Sequence, residues 1–166
     1  MDDQTQLEPT AAPAISLTAI VSKRKLVFND VPVPTLLVLV AQETAGLVDP
    51  IFAAVREKYP LASQVQIATI IDTHKFPAIL KKFAEGLMKG RYNESAKNME
   101  PGKDPADYLL IVPDWKAAAS KALGLTDTSE HLAIAVVAPG GKLIGTDQSA
   151  DTAAAAMALL AAAGAK

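Results

Sequence analysis

The chain has 166 residues, half of them apolar and a fifth charged, which suits one domain with a full core. Its net charge of −2 gives no general attraction to nucleic acid or to an anionic membrane, and no apolar run reaches the roughly 18–20 residues of a membrane span. It contains no cysteine, which excludes disulfides, thiolate chemistry and cysteine-ligated metals.

The opening stretch MDDQTQLEPTAAPA is acidic and lacks a basic region followed by an apolar one, so it does not read as a secretory signal. Residues 1–13 read as a loose tail, residues 14–166 as one domain, and the expected setting is the cytoplasm. AISLTAIV (14–21) and KLVF (25–28) are predicted as two strands joined at SKR (22–24) in a hairpin. TLLVLVA (35–41) shows no polar–apolar alternation, the pattern of a strand buried on both faces.

Val48, Ile51, Phe52, Val55 and Tyr59 have helical spacing, with Arg56, Glu57 and Lys58 expected to face water. Pro50 falls in the first turn, where its missing N–H costs little, and Pro60 ends the helix. VQIATIID (65–72) is a second buried strand. A long helix is predicted over 76–98, with a stripe of Phe76, Ile79, Leu80, Phe83, Leu87, Met88 and Tyr92. Gly86 and Gly90 are expected to bend or fray it. After a polar loop at 99–107 come a third buried strand at 107–114 and a short Ala-rich helix at 115–125. A hairpin follows at 132–148, turning at Pro139-Gly140-Gly141, and a C-terminal helix at 149–166 is capped by Ser149 or Asp151. Alternating strands and helices predict an α/β domain, a mixed sheet with helices on both faces.

This order and its turns resemble the thioredoxin-like superfamily, in particular the peroxiredoxin and membrane-tethered thioredoxin branch with its N-terminal hairpin. KLVFNDVPVPTLLVLVAQETAGLVDPIFAAVREKYP is similar to that branch's hairpin strand, core strand, active-site turn and helix. IVPDWKAAASKALGLTDTSEHLAIAVVAPGGKLIGTDQ is similar to its second half. The resemblance spans about 14–163, with 76–107 as a helical insertion. It implies a redox cysteine within Gln42–Val48 and a cis-proline before the strand at 132–138. This chain has no cysteine at the first place and Thr128-Ser129-Glu130-His131 at the second, and its three arginines are Arg24, Arg56 and Arg91, none within the stretch similar to the second half of that branch. Without a thiolate, thiol–disulfide exchange and cysteine peroxidase chemistry are excluded.

Thr44 stands in the active-site turn the resemblance implies, at a predicted helix N-terminus, with Glu43 beside it. A threonine nucleophile needs a base, and His74 and His131 are the two candidates. The simpler reading is that Thr44 caps the helix, Glu43 complements its dipole and both histidines lie at the surface. Trp115 either packs under a loop or lines a cleft with Thr44, Pro113 and His131. The histidines lack HxH or HExxH spacing, so no metal site is expected, and no P-loop or GxGxxG points to a cofactor.

Seven of the sixteen basic residues lie in 75–103, Lys81, Lys82, Lys89 and Arg91 among them. Such a run is commonly a solvated helix face, but on an insertion it is also a candidate partner-docking surface. The alanine-rich last helix is compatible with close packing on the sheet or on a second copy, as in a homodimer. Two functions are therefore expected: a redox-inactive protein-binding or assembly module, or a small-molecule binder or non-thiol enzyme using Thr44, Trp115 and His131.

Overall fold

The computed structural model describes residues 9–125 and 127–166. In chain order its strands are β1 (Thr10–Ala11), β2 (Ser16–Thr18), β3 (Lys25–Val27), β4 (Thr35–Val40), β5 (Gln66–Asp72), β6 (Leu110–Asp114), β7 (Ala133–Ala138) and β8 (Lys142–Asp147). Its helices are α1 (Asp49–Lys58), α2 (Lys81–Lys97), α3 (Pro105–Tyr108), α4 (Ala118–Ala122) and α5 (Thr152–Ala162), with 3-10 turns at Ala45–Leu47 and Ala78–Leu80.

The unalternating run at 35–40 becomes β4, buried along its whole length at the centre of a six-stranded sheet of order β1-β8-β7-β4-β5-β6. β4, β5 and β6 run parallel, while β7, β8 and β1 continue the sheet antiparallel on the other side. Parallel neighbours need crossovers, and α1 and α2 supply them. Alternate β4 residues face two cores. Leu37 and Leu39 meet Leu26, Phe28 and Ala119 from the hairpin and α4. Leu36, Val38 and Val40 meet Ile51, Val55 and Leu160 from α1 and α5. The expected two-faced α/β sheet is present.

Several boundaries differ from expectation. Residues 1–8 of the expected tail lie outside the described residues, but Thr10 and Ala11 pair with Leu143 and Lys142 as an edge strand. The first hairpin strand is short: after Thr18 the chain turns, with Val21 and Lys23 at φ of 64° and 59°, and the Ile20 amide donates to the Ile111 carbonyl of β6. The second hairpin turns as expected, and Gly141 is required there. Its φ is +78°, and a Cβ would lie 2.5 Å from the Asn29 carbonyl oxygen.

Arg56 does not face water. Its Nη1 donates to the carbonyls of Tyr59, Leu61 and Val65 at 3.2, 3.3 and 2.8 Å, tying the end of α1 to the loop before β5. Burial lowers its pKa from the usual arginine range.

The larger correction concerns α2. It runs unbroken through Gly86 and Gly90, and its buried residues are Ala84, Met88 and Tyr92, set against Ile20 and Ile111. The neighbouring row faces out: Ile79 is 89%, Phe83 63% and Leu87 53% exposed. Both rows have four-residue spacing, so periodicity allows either. Packing of Ala84, Met88 and Tyr92 with Ile20 and Ile111 decides between them.

Candidate functional site

The parallel strands β4, β5 and β6 end on one edge, at Val40, Asp72 and Asp114. In α/β sheets, ligands gather outside the carboxyl ends of the strands. Here the edge carries the 41–45 turn, the 73–77 loop and the 115–117 turn. Because β7 runs antiparallel to β4, the 127–131 approach to it lies on the same edge.

Thr44 is only 2% exposed. Its Oγ1 accepts from the Ala41 amide at 3.0 Å and donates to the Thr128 carbonyl at 2.7 Å. The hydroxyl proton is therefore committed to a backbone oxygen, and the side chain makes no capping bond to the 3-10 turn that follows. Neither the nucleophile nor the cap expected from the sequence matches this geometry. Thr44 instead pins the 41–45 turn to the approach to β7.

Three carboxylates on this edge, Asp72, Asp114 and Asp127, are also engaged. Asp114 accepts from the amides of Ala118 and Ala119 at 3.0 and 2.9 Å, capping α4. Asp72 accepts from the His74 amide and pairs with the His74 ring through Nδ1. Lys75 bridges to Asp127 at 3.0 Å. The Ser129 amide and hydroxyl, then Lys75, bring the Asp127 carboxyl down to about 2, and Asp127 in turn raises Lys75. Glu43 is exposed and lines a shallow depression with Gln42, Asp72, His74, Lys75 and Asp127.

The expected cleft of Thr44, Trp115 and His131 does not form, because the three side chains occupy three environments. Thr44 is interior. Trp115 packs half-buried with the Ala84–Met88–Ile111 cluster, with the Lys81 ammonium 5.0 Å from its ring centroid. His131 is exposed, and its carbonyl accepts from Gln148. Glu43 thus sits beside His74 rather than His131.

Lys81, Lys82, Lys89 and Arg91 are all exposed on α2. Arg91 does more than line a face: its Nη2 donates to the Ala45 carbonyl at 3.2 Å, joining α2 to the 41–45 turn. Beneath this contact lies a groove that sequence reasoning missed. One cavity of about 220 Å³ is lined by Gln42, Ala45, Ile71, Thr73, Leu87 and Arg91, among others. A second, of about 140 Å³, shares Ala45, Ile71 and Arg91 with it. Arg91 follows Leu87 and Met88 at helical spacing, the one signal in the sequence that set it beside them.

Among the described residues, no group of three or more His, Asp or Glu side chains is placed to hold a metal ion, and no helix is long and apolar enough to cross a membrane.

Comparison with known proteins places this arrangement in context. No family model and no curated protein sequence matches the chain. Solved structures do. The exposed lipoprotein thioredoxin Etrx1 of Streptococcus pneumoniae is 12% identical, with a TM-score of 0.59 over 89% of this chain and 98% of its own. A thiol-disulfide oxidoreductase of Bacteroides fragilis is 13% identical, with a TM-score of 0.58 over 91% and 99%. StoA of Bacillus subtilis is 15% identical, with a TM-score of 0.56 over 89% and 98%. The fold is thioredoxin-like, and the likeness does not single out the peroxiredoxin branch.

Proposed function

We propose that this thioredoxin-like chain is a redox-inactive protein-binding module whose docking surface is the outer face of α2. The observation that carries this reading is the exposed apolar row of Ile79, Leu80, Phe83 and Leu87. Contiguous large apolar side chains left in water on a helix mark an interaction surface far more often than scattered ones do.

Charge defines the partner. In 75–91, Lys75, Lys81, Lys82, Lys89 and Arg91 stand against the single acid Glu85, in a chain that is otherwise slightly acidic. An acidic amphipathic helix fits this surface, with its apolar face on Phe83 and Leu87 and its carboxylates on the flanking lysines. Redox inactivity follows from the missing thiol, since disulfide exchange needs a thiolate to attack sulfur. The engagement of Thr44 and Asp114 with backbone groups supports the same reading.

The test compares wild type with Phe83→Glu/Leu87→Glu as bait in native extract. The expected result is a partner with an acidic amphipathic segment, captured by wild type, released by salt and lost in the double variant. Equal capture by both baits overturns the docking surface. Turnover of insulin disulfides by the purified chain overturns redox inactivity.

A further inference from the structure

The smaller cavity, between α1 and α2, holds polar groups that neither the apolar row of α2 nor the loop contacts use. We propose that it binds a small free amino acid whose side chain carries a hydroxyl group.

The first observation is at the floor. Thr69 lines this cavity from β5 and is 9% exposed, and its hydroxyl makes no hydrogen bond among the described residues. In the sheet it lies between Val38 of β4 and Ile111 of β6, on the face it shares with Ile67 and Ile71. All four are apolar, so no side chain beside it in the sheet can satisfy it. The unpartnered hydroxyls of Thr73 and Thr128 are sealed inside the protein. That of Thr69 opens on the cavity, where a polar atom of a ligand can reach it. A valine would fill the same space without an unpaired polar atom, so packing alone does not account for a threonine here.

The second observation is the pair of charges. Asp49, in the first turn of α1, and Arg91, on α2, both line this cavity, yet they form no ion pair with each other. The Asp49 carboxylate accepts no hydrogen bond among the described residues, and Arg91 spends one N–H on the Ala45 carbonyl. A zwitterion complements both, with its ammonium on Asp49 and its carboxylate on the remaining guanidinium donors. A ligand with a carboxylate alone would meet Asp49 as a like charge.

The third observation is size. The cavity measures about 140 Å³. That is below the roughly 300–1,000 Å³ of sites for drug-sized molecules, so the occupant is small. Val48, Phe52 and Leu109 give it an apolar wall for a short aliphatic chain. Charges at Asp49 and Arg91, a short chain on that wall and a hydroxyl at Thr69 together describe the molecule.

The test is calorimetric titration of the full chain with L-threonine, L-valine, L-threoninamide and N-acetyl-L-threonine. Threonine is expected to bind, with each of the other three weaker by about tenfold or more. Thr69→Val should bind threonine no better than valine. Arg91→Gln should no longer distinguish threonine from its amide, and Asp49→Asn should no longer distinguish it from the N-acetyl derivative. Both charge variants alter exposed side chains, so the test does not depend on the folding of Thr69→Val. No binding of threonine at millimolar concentration, or unchanged discrimination in any of the three variants, overturns the site and leaves a hydrated packing gap. Ile79, Phe83 and Leu87 lie outside this lining, so that failure leaves the docking surface standing.

Discussion

The Thr44 hydroxyl donates to the Thr128 carbonyl at 2.7 Å, joining two loops 84 positions apart in the sequence. At the turn where the thioredoxin-like resemblance implies a reactive thiol, this chain has a buried hydroxyl used as a structural bolt. Thr44→Val would strip the partner from both the Ala41 amide and the Thr128 carbonyl. The expected cost is about 1–3 kcal/mol in urea denaturation, with Thr44→Ser close to wild type. Thr44→Val as stable as wild type would contradict this structural role.

The two rows of α2 should respond oppositely. Met88→Ala removes a buried side chain and should cost about 2–5 kcal/mol. Phe83→Glu and Leu87→Glu alter exposed positions and should stay within about 0.5 kcal/mol of wild type. Chemical denaturation of the three variants checks this, and a large loss in Phe83→Glu would mean that the row is core.

Gly86 and Gly90 are interior to α2, and an added Cβ meets nothing within 4 Å at either. Replacing each with alanine should stabilise the protein by about 0.5–1 kcal/mol, read as a higher melting temperature.

Asp127 predicts an acid-side effect. Its folded carboxyl sits at about 2, below the usual value of roughly 3.9. A lowered carboxylate pKa adds stability that is fully present above the unfolded value and is lost as the pH falls through the folded one. The contribution is small because the group is exposed. Asp127→Asn should flatten the stability profile between about pH 4 and pH 2, and an unchanged slope there would contradict the assignment.

The sheet was legible because burial on both faces suppresses alternation, as in TLLVLV and AIAVVA, and because Pro50 and Pro139-Gly140-Gly141 punctuate the chain where the backbone demands it. The α2 face was not legible, since Ala84–Met88–Tyr92 and Ile79–Phe83–Leu87 share one period and only packing with the distant Ile20 and Ile111 distinguishes them. Arg56 was misread for a related reason: a charged residue can bury its guanidinium when three carbonyls from a following loop converge on it. The roles of Thr44 and Arg91 depend on partners 84 and 46 positions away, Thr128 and Ala45, which no local pattern reports.

The most direct measurement is hydrogen-exchange mapping of this protein with and without the acidic amphipathic segment of a captured partner. New protection is predicted over residues 78–91, abolished in Phe83→Glu/Leu87→Glu. Protection confined instead to 41–45 and 127–131, with α2 unchanged, would place recognition on the loops that Thr44 joins and contradict the docking surface.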